Sequence, residues 1–234
     1  MNILGFDTST PATAVCLVRA DGEAFELEPP VERLFEPPGH ARELMPGIDR
    51  VMREAGIDFP DLDALAVGVG PGGFTGLRIG VATAHGIAQS AGIPLHRVLS
   101  LAALEAGIRE AEGGARPEAA TPRNLGDIRA FPLIDARRNE VYGLDAGEPF
   151  VGSVDYAIEK APKGALAAGD GSVRFREALE SAGIRVAPGD SRMHVVRALY
   201  ICRLGAVVQP SPPESVVPCY LRAPDAKPPS RSAG

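Results

Sequence analysis

The chain has 234 residues, 45% of them hydrophobic and 23% charged, with a formal net charge of −6. That profile belongs to a globular chain with one large or two small cores, and its negative balance argues against gripping a nucleic-acid backbone unaided. Cys16, Cys202 and Cys219 are odd in number and form no Cys-x-x-Cys pair. This speaks against a disulfide framework or structural zinc and for a reduced, cytoplasmic setting. No basic segment followed by an apolar core opens the chain, and no run of about twenty apolar residues occurs, so neither a secretory leader nor a membrane span is expected.

In chain order, Ile3 to Asp7, Thr13 to Arg19 and Ala24 to Leu27 read as strands, the last two joined by an Asp21-Gly22 turn. A proline-rich stretch, Pro29 to Gly39, precedes a helix from His40 to Ala55 with Leu44, Ile48, Val51 and Ala55 at helical spacing. Pro46 argues for a later start to that helix. The strand Ala64 to Gly68 leads through a glycine-dense turn into a helix from Thr75 to Ala91, with Thr75 as its expected cap. Leu95 to Val98 is a further strand, and Ser100 is placed to cap a helix carrying Leu101, Leu104 and Ile108. Glu112 to Asp127, rich in Gly, Pro and Ala, is the best boundary. Ile128 to Ala136 and Glu140 to Asp145 read as a hairpin, Leu166 to Gly169 as a strand, and Val173 to Ala182 and Val195 to Val208 as helices. Pro210 onward is proline-rich, and disorder is expected from Lys227 to Gly234.

The helix from Thr75 to Ala91 carries two apolar stripes, one of Leu77, Val81, Ala84 and Ala88 and one of Gly76, Gly80, Thr83 and Ile87. A helix apolar over most of its circumference is covered on more than one side. The second stripe, with Leu44, Met45, Ile48 and Met52 of the preceding helix, forms the candidate partner interface; on that basis the fold should survive Gly80→Leu. The glycine turn itself lacks the Gly-Lys-Ser/Thr end of a Walker loop, and its Gly68-Val69-Gly70 opening lies on the fourth strand, where a Rossmann turn would follow the first. No His-Glu-x-x-His or Gly-x-Ser-x-Gly is present. His40, His85, His96 and His194 show no ligand spacing, so no metal site and no catalytic residue is assigned.

Gly70-Pro71-Gly72, Phe74-Thr75-Gly76 and Arg78-Ile79-Gly80 together resemble the signature of the bacterial TsaB (YeaZ) family. Ile3-Leu4-Gly5-Phe6-Asp7-Thr8-Ser9-Thr10, Ile134-Asp135-Ala136-Arg137 with Glu140-Val141-Tyr142, and Pro218 with Tyr220-Leu221-Arg222 fit the same family in the same order. The resemblance spans nearly the whole length. It implies an α/β, two-lobed fold of the actin, Hsp70 and sugar-kinase (ASKHA) type with a reduced second lobe. Lobe one is assigned to residues 1–106 plus 191–208, lobe two to 107–190, and an extended, partly disordered tail to 209–234.

In that superfamily the first turn binds phosphate, which makes Asp7, Thr8 and Ser9 cofactor candidates; side chains that merely satisfy turn amides are the competing reading. Asp135 and Gly169-Asp170-Gly171 are the second lobe's only counterparts. The related transferase TsaD carries two metal-binding histidines at i and i+4 after the fifth strand, and those positions here are Ser100 and Leu104. The resemblance therefore implies a non-catalytic subunit, without a cofactor of its own. It would pair with TsaD, and with the ATPase TsaE, to transfer threonylcarbamoyl to N6 of the tRNA adenosine beside the anticodon. ATP and metal belong to the partner subunits, tRNA contact is indirect, and the isolated chain is a candidate homodimer. The alternative is a small ATP-dependent phosphotransferase of the sugar-kinase superfamily.

Overall fold

The computed structural model describes residues 1–113 and 129–222. A first sheet contains β1 (Ile3–Asp7), β2 (Ala14–Val18), β3 (Ala24–Leu27), β4 (Ala64–Gly68) and β5 (Leu95–Val98) in the order β3-β2-β1-β4-β5. The first three pair antiparallel, while β1, β4 and β5 run parallel. All five residues of β1 are buried, as a strand covered on both faces requires. Leu4 and Phe6 meet α1 (His40–Ala55) and α2 (Phe74–Ala91) on one side. Ile3 meets α3 (Ser100–Ala111) and α7 (Ala198–Val207) on the other. Gly5 has no room for a side chain there, because a Cβ would lie 2.5 Å from Cys202 Sγ.

The second sheet contains β6 (Ala130–Arg137), β7 (Glu140–Asp145), β8 (Glu148–Ser153), β9 (Leu166–Ala168) and β10 (Arg185–Val186), ordered β10-β9-β6-β7-β8. Its helices are α4 (Val154–Lys160), α5 (Asp170–Arg174) and α6 (Arg176–Ser181). It repeats the plan of the first sheet: an antiparallel meander, a helix, then two strands parallel to the meander's first. β6 therefore corresponds to β1, and the aspartates Asp135 and Asp7 occupy matching strands. The expected two-lobed α/β architecture is present. α3 and α7 form the layer between the sheets, and residues 106 and 107 fall inside α3, so the expected lobe boundary cuts a single helix.

Local expectations need several corrections. α1 begins at His40 and runs through Pro46, which sits on the solvent side where the carbonyl left without its N–H partner is exposed. Gly73, not Thr75, is the N-cap of α2, and no side chain caps it. Ser100 is the first residue of α3 rather than its cap. The helix expected from 173 to 182 is broken at Phe175 into α5 and α6. β8, α4 and β10 were not anticipated. Both the boundary stretch, from residue 114 onward, and the C-terminal residues expected to be disordered lie outside the described residues.

Candidate functional site

Asp7 ends β1, and its carboxylate is fully engaged within lobe one. Oδ1 accepts from Ser9 N (2.8 Å) and Ser9 Oγ (2.6 Å), and Oδ2 accepts from Ser100 Oγ (2.5 Å), which itself accepts from Gly70 N–H at 3.0 Å. Burial raises the Asp7 pKa, against the opposing pull of these hydrogen bonds. Thr8 Oγ1 donates to the Gly76 carbonyl at 2.8 Å, and Gly73 N–H donates to the Ser9 carbonyl at 2.7 Å. The glycine turn thus lies directly on the β1–β2 turn. A Cβ at Gly72 would sit 2.2 Å from Ser9 O, one at Gly76 2.1 Å from Thr8 O, and one at Gly80 2.3 Å from Thr8 Oγ1. Close backbone approach explains the glycines.

Between the lobes opens a cleft of about 540 Å³. Lobe one contributes Ser9, Thr10, His40 and the first turn of α2; lobe two contributes Asp135, Arg137 and Asp170. Of the three cofactor candidates only Ser9 lines it, since Asp7 and Thr8 point inward. In lobe two, Asp170 accepts from the N–H groups of Asp135 and Gly171, each at 3.0 Å, and burial pushes its pKa up to about 6. Arg174 and Arg137 hold the Asp135 carboxylate at 2.9 and 3.3 Å.

The C-terminal segment crosses the cleft. Cys219 N–H donates to Val69 O (2.7 Å), and Tyr220 lies against Phe74 with ring centroids 5.2 Å apart. Arg78 stacks over Phe74 at 3.8 Å and donates to Tyr220 Oη at 3.1 Å. Arg222 donates to the Ala136 carbonyl (3.2 Å) and pairs with Glu140. All four sequence motifs therefore converge on one cleft, and the segment expected as an extended tail joins both lobes as far as residue 222.

The family model described as TsaD, tRNA N6-adenosine threonylcarbamoyltransferase, matches residues 38–162, more than half of the chain. A protein of Mycobacterium tuberculosis is 33% identical over 233 residues, covering 97% of this chain and 94% of its own length. The Escherichia coli tRNA threonylcarbamoyladenosine biosynthesis protein TsaB is 36% identical over 144 residues, 61% of this chain and 53% of that protein. The solved structure of YeaZ from Pseudomonas aeruginosa superposes with a TM-score of 0.71 at 25% identity, covering 94% of this chain and 99% of that one. This chain belongs to the TsaB (YeaZ) family.

In this TsaB-family chain Ser100 and Leu104, the positions that the resemblance sets against histidines of TsaD, are built into the interior. Ser100 is spent on Asp7 and Gly70, and Leu104 is 1% exposed in the core between the sheets. The histidines are dispersed as well. His85 binds the Val216 carbonyl at 2.8 Å, His96 that of Val208 at 3.2 Å, His194 that of Pro188 at 2.8 Å, and His40 binds Thr13 at 2.8 Å. No group of three or more potential ligands that could hold a metal occurs among the described residues. No described helix is long and apolar enough to cross a membrane.

The expected interface residues do not form one surface. Leu44, Ile48 and Met52 are buried in the core against β1, β2 and β4, and Gly76 and Gly80 face Thr8. Heptad-like spacing marked them as apolar but could not say which side they faced. Met45 is 48% exposed, and Thr83 and Ile87 are half-buried. The outward row of α2 instead runs through Ala82 and Gly86, both exposed. Sequence reasoning missed the cleft role of His40, whose ring is set by Thr13 and Glu43. A histidine at a helix start, three residues before a glutamate, was the available signal.

Proposed function

We propose that this chain is a non-catalytic partner subunit of a TsaD-type transferase, needed for transfer of threonylcarbamoyl to N6 of a tRNA adenosine. Ser100 and Leu104 carry the proposal. Where the related transferase needs two imidazoles, one position here holds a hydroxyl donating to Asp7 and the other a core leucine. Metal and ATP would then belong to the partner subunits, TsaD and TsaE, acting in the cytoplasm. A phosphotransferase would need Asp7 free for a metal–nucleotide complex, and both its oxygens are held internally.

The docking face would be the outward side of α1 and α2, centred on Met45, Ala82, Thr83 and Gly86. Gly86 has nothing within 4 Å of an added Cβ. An exposed glycine inside a helix costs about 1 kcal/mol relative to alanine, and a close external contact gives it a reason. The same face would support a homodimer when TsaD is absent. The test is capture of cognate TsaD and reconstituted tRNA modification, with and without this chain. Met45→Glu and Ala82→Arg should reduce both activities while unfolding normally; unimpaired pairing in both variants sinks the docking face. A low-micromolar Kd for ATP by calorimetry, about −8 kcal/mol, would instead favour the phosphotransferase.

A further inference from the structure

The two lobes are joined through α3 and α7, whose residues share one core with strands of both sheets. The C-terminal segment joins them a second time, across the cleft. It is first fastened along lobe one. Ser211 N–H donates to Leu95 O at 2.8 Å, His85 Nε2 donates to Val216 O at 2.8 Å, and Cys219 N–H donates to Val69 O at 2.7 Å. Val216 is fully buried in the core that α1 and α2 cover. Pro212, Pro213 and Pro218 fix φ along the segment and limit the freedom it would gain by detaching.

The last described residues then pass from one wall to the other. Tyr220 is bracketed on lobe one by the Phe74 ring, 5.2 Å away, and by Arg78, which stacks on Phe74 and donates to Tyr220 Oη at 3.1 Å. Leu221 packs against the core shared by both sheets. Arg222 grips lobe two: Nη1 donates to the Ala136 carbonyl at 3.2 Å, and the buried Nη2 faces the Glu140 carboxylate, its ion-pair partner. Ala136 and Glu140 flank the tip of the β6–β7 hairpin, where Arg137, Arg138 and Asn139 all take positive φ, at 61°, 51° and 60°. Successive left-handed residues other than glycine persist only where their surroundings hold them. Arg174 does so here by bonding both Asp135 (2.9 Å) and Asn139 (3.2 Å), so Arg222 closes on a pinned hairpin.

We infer that residues 211–222 act as a latch that holds the interlobe cleft closed, with Arg222 as its catch and Tyr220 as the residue that positions the catch. Leu221 alone separates the bracket on lobe one from the grip on lobe two, and one residue spans only about 3.8 Å. The segment has no slack, so the cleft widens only if Arg222 leaves Glu140 or Tyr220 leaves Phe74. The catch is the easier contact to release. The Arg222 and Glu140 side chains are 24% and 36% exposed, so water takes up both charges as they part. Freeing the rest of the segment would instead expose Val216 and leave the Val69 carbonyl unpaired. Opening therefore pivots on the α3–α7 layer and leaves the segment on lobe one. The latch consists of contacts within this chain and does not depend on the proposed function.

The test is double electron–electron resonance on the full chain, with spin labels coupled to a keto amino acid placed at the exposed positions of Arg42 in α1 and Glu159 in α4, which spares the native cysteines. The parent should give one narrow distance distribution. Arg222→Gln, which keeps a donor for Ala136 and loses only the charge, should shift it by several ångströms to longer distance and broaden it. Glu140→Ala should do the same, and so should Tyr220→Ala with both charges in place. Arg222→Glu alone should open the cleft, and adding Glu140→Arg should return most of the distribution to the parental distance, a rescue that a general loss of stability does not give. Distances unchanged in both Arg222→Gln and Glu140→Ala, or a charge-swapped chain as open as Arg222→Glu, overturn the latch.

Discussion

Ser100 Oγ lies 2.5 Å from Asp7 Oδ2, joining residues 93 apart in sequence at the point where β1 ends and α3 begins. The hydroxyl also accepts from Gly70 N–H, so one atom ties the first strand, the glycine turn and the interlobe helix together. Ser100→Ala deletes the largest influence opposing the burial of Asp7, whose folded-state pKa then rises further. An acid with a raised folded pKa contributes stability fully present below its unfolded value and lost as pH rises through the folded one. The variant should therefore lose more at neutral pH than in acid, about 1–3 kcal/mol at pH 7 and less below about pH 4. Urea unfolding at the two pH values measures this. An equal loss at both would mean that the hydroxyl acts through Gly70 alone.

Asp170 makes the complementary case in lobe two. Burial, with the nearby Asp135 charge, pushes its pKa up to about 6 despite the N–H groups of Asp135 and Gly171 and the charge of Arg137. Its stabilising contribution is complete below the ordinary aspartate value of 3.8 and is lost as pH rises through about 6. Asp170→Asn keeps an acceptor for both amides and removes the ionisation. The variant should be more stable than the parent at pH 7.5, by on the order of 1–3 kcal/mol, with the gap closing toward pH 4. A thermal-melting series across that range checks it; a variant less stable than the parent at pH 7.5 but equal to it near pH 4 would show instead that the charge of Asp170 is needed by Arg137.

The strands and helices of lobe one were legible because each has one dominant signal. β1, β4 and β5 are short apolar runs bounded by turns, and α1 ends at Gly56, which takes the left-handed conformation that a terminal glycine permits. Lobe two was less legible. β10 has two residues, too few for periodicity to register, and β8 opens with Glu148-Pro149, whereas β9 was read at Leu166 to Gly169. The cleft itself was hidden for a different reason. Thr13 lies just before β2 and His40 and Glu43 lie in α1, with no shared spacing, and Arg222 meets Glu140 only because the tail turns back. Facing was the other blind spot: the pattern in α2 showed two apolar stripes, and only the contact with Thr8 shows that Gly76 and Gly80 turn inward.

Gly80 and Gly86 share one helix and should respond to the same substitution with opposite signs. A Cβ at Gly80 would lie 2.3 Å from Thr8 Oγ1, forcing that hydroxyl off the Gly76 carbonyl. Gly80→Ala should cost about 1–3 kcal/mol, and Gly80→Leu should disrupt lobe one itself, contrary to the expectation drawn from its stripe. At Gly86 a Cβ meets nothing, so Gly86→Ala should stabilise the isolated chain by about 0.5–1 kcal/mol. If the outward face of α2 is where TsaD closes down, Gly86→Leu should keep that stability and still weaken capture of TsaD and tRNA modification. Denaturation of each purified variant separates the folding effect from the pairing effect. A Gly86→Leu chain that binds TsaD as well as the parent would leave this glycine without a docking role, whereas a Gly80→Ala chain as stable as the parent would mean that Thr8 does not pin α2 to the β1–β2 turn.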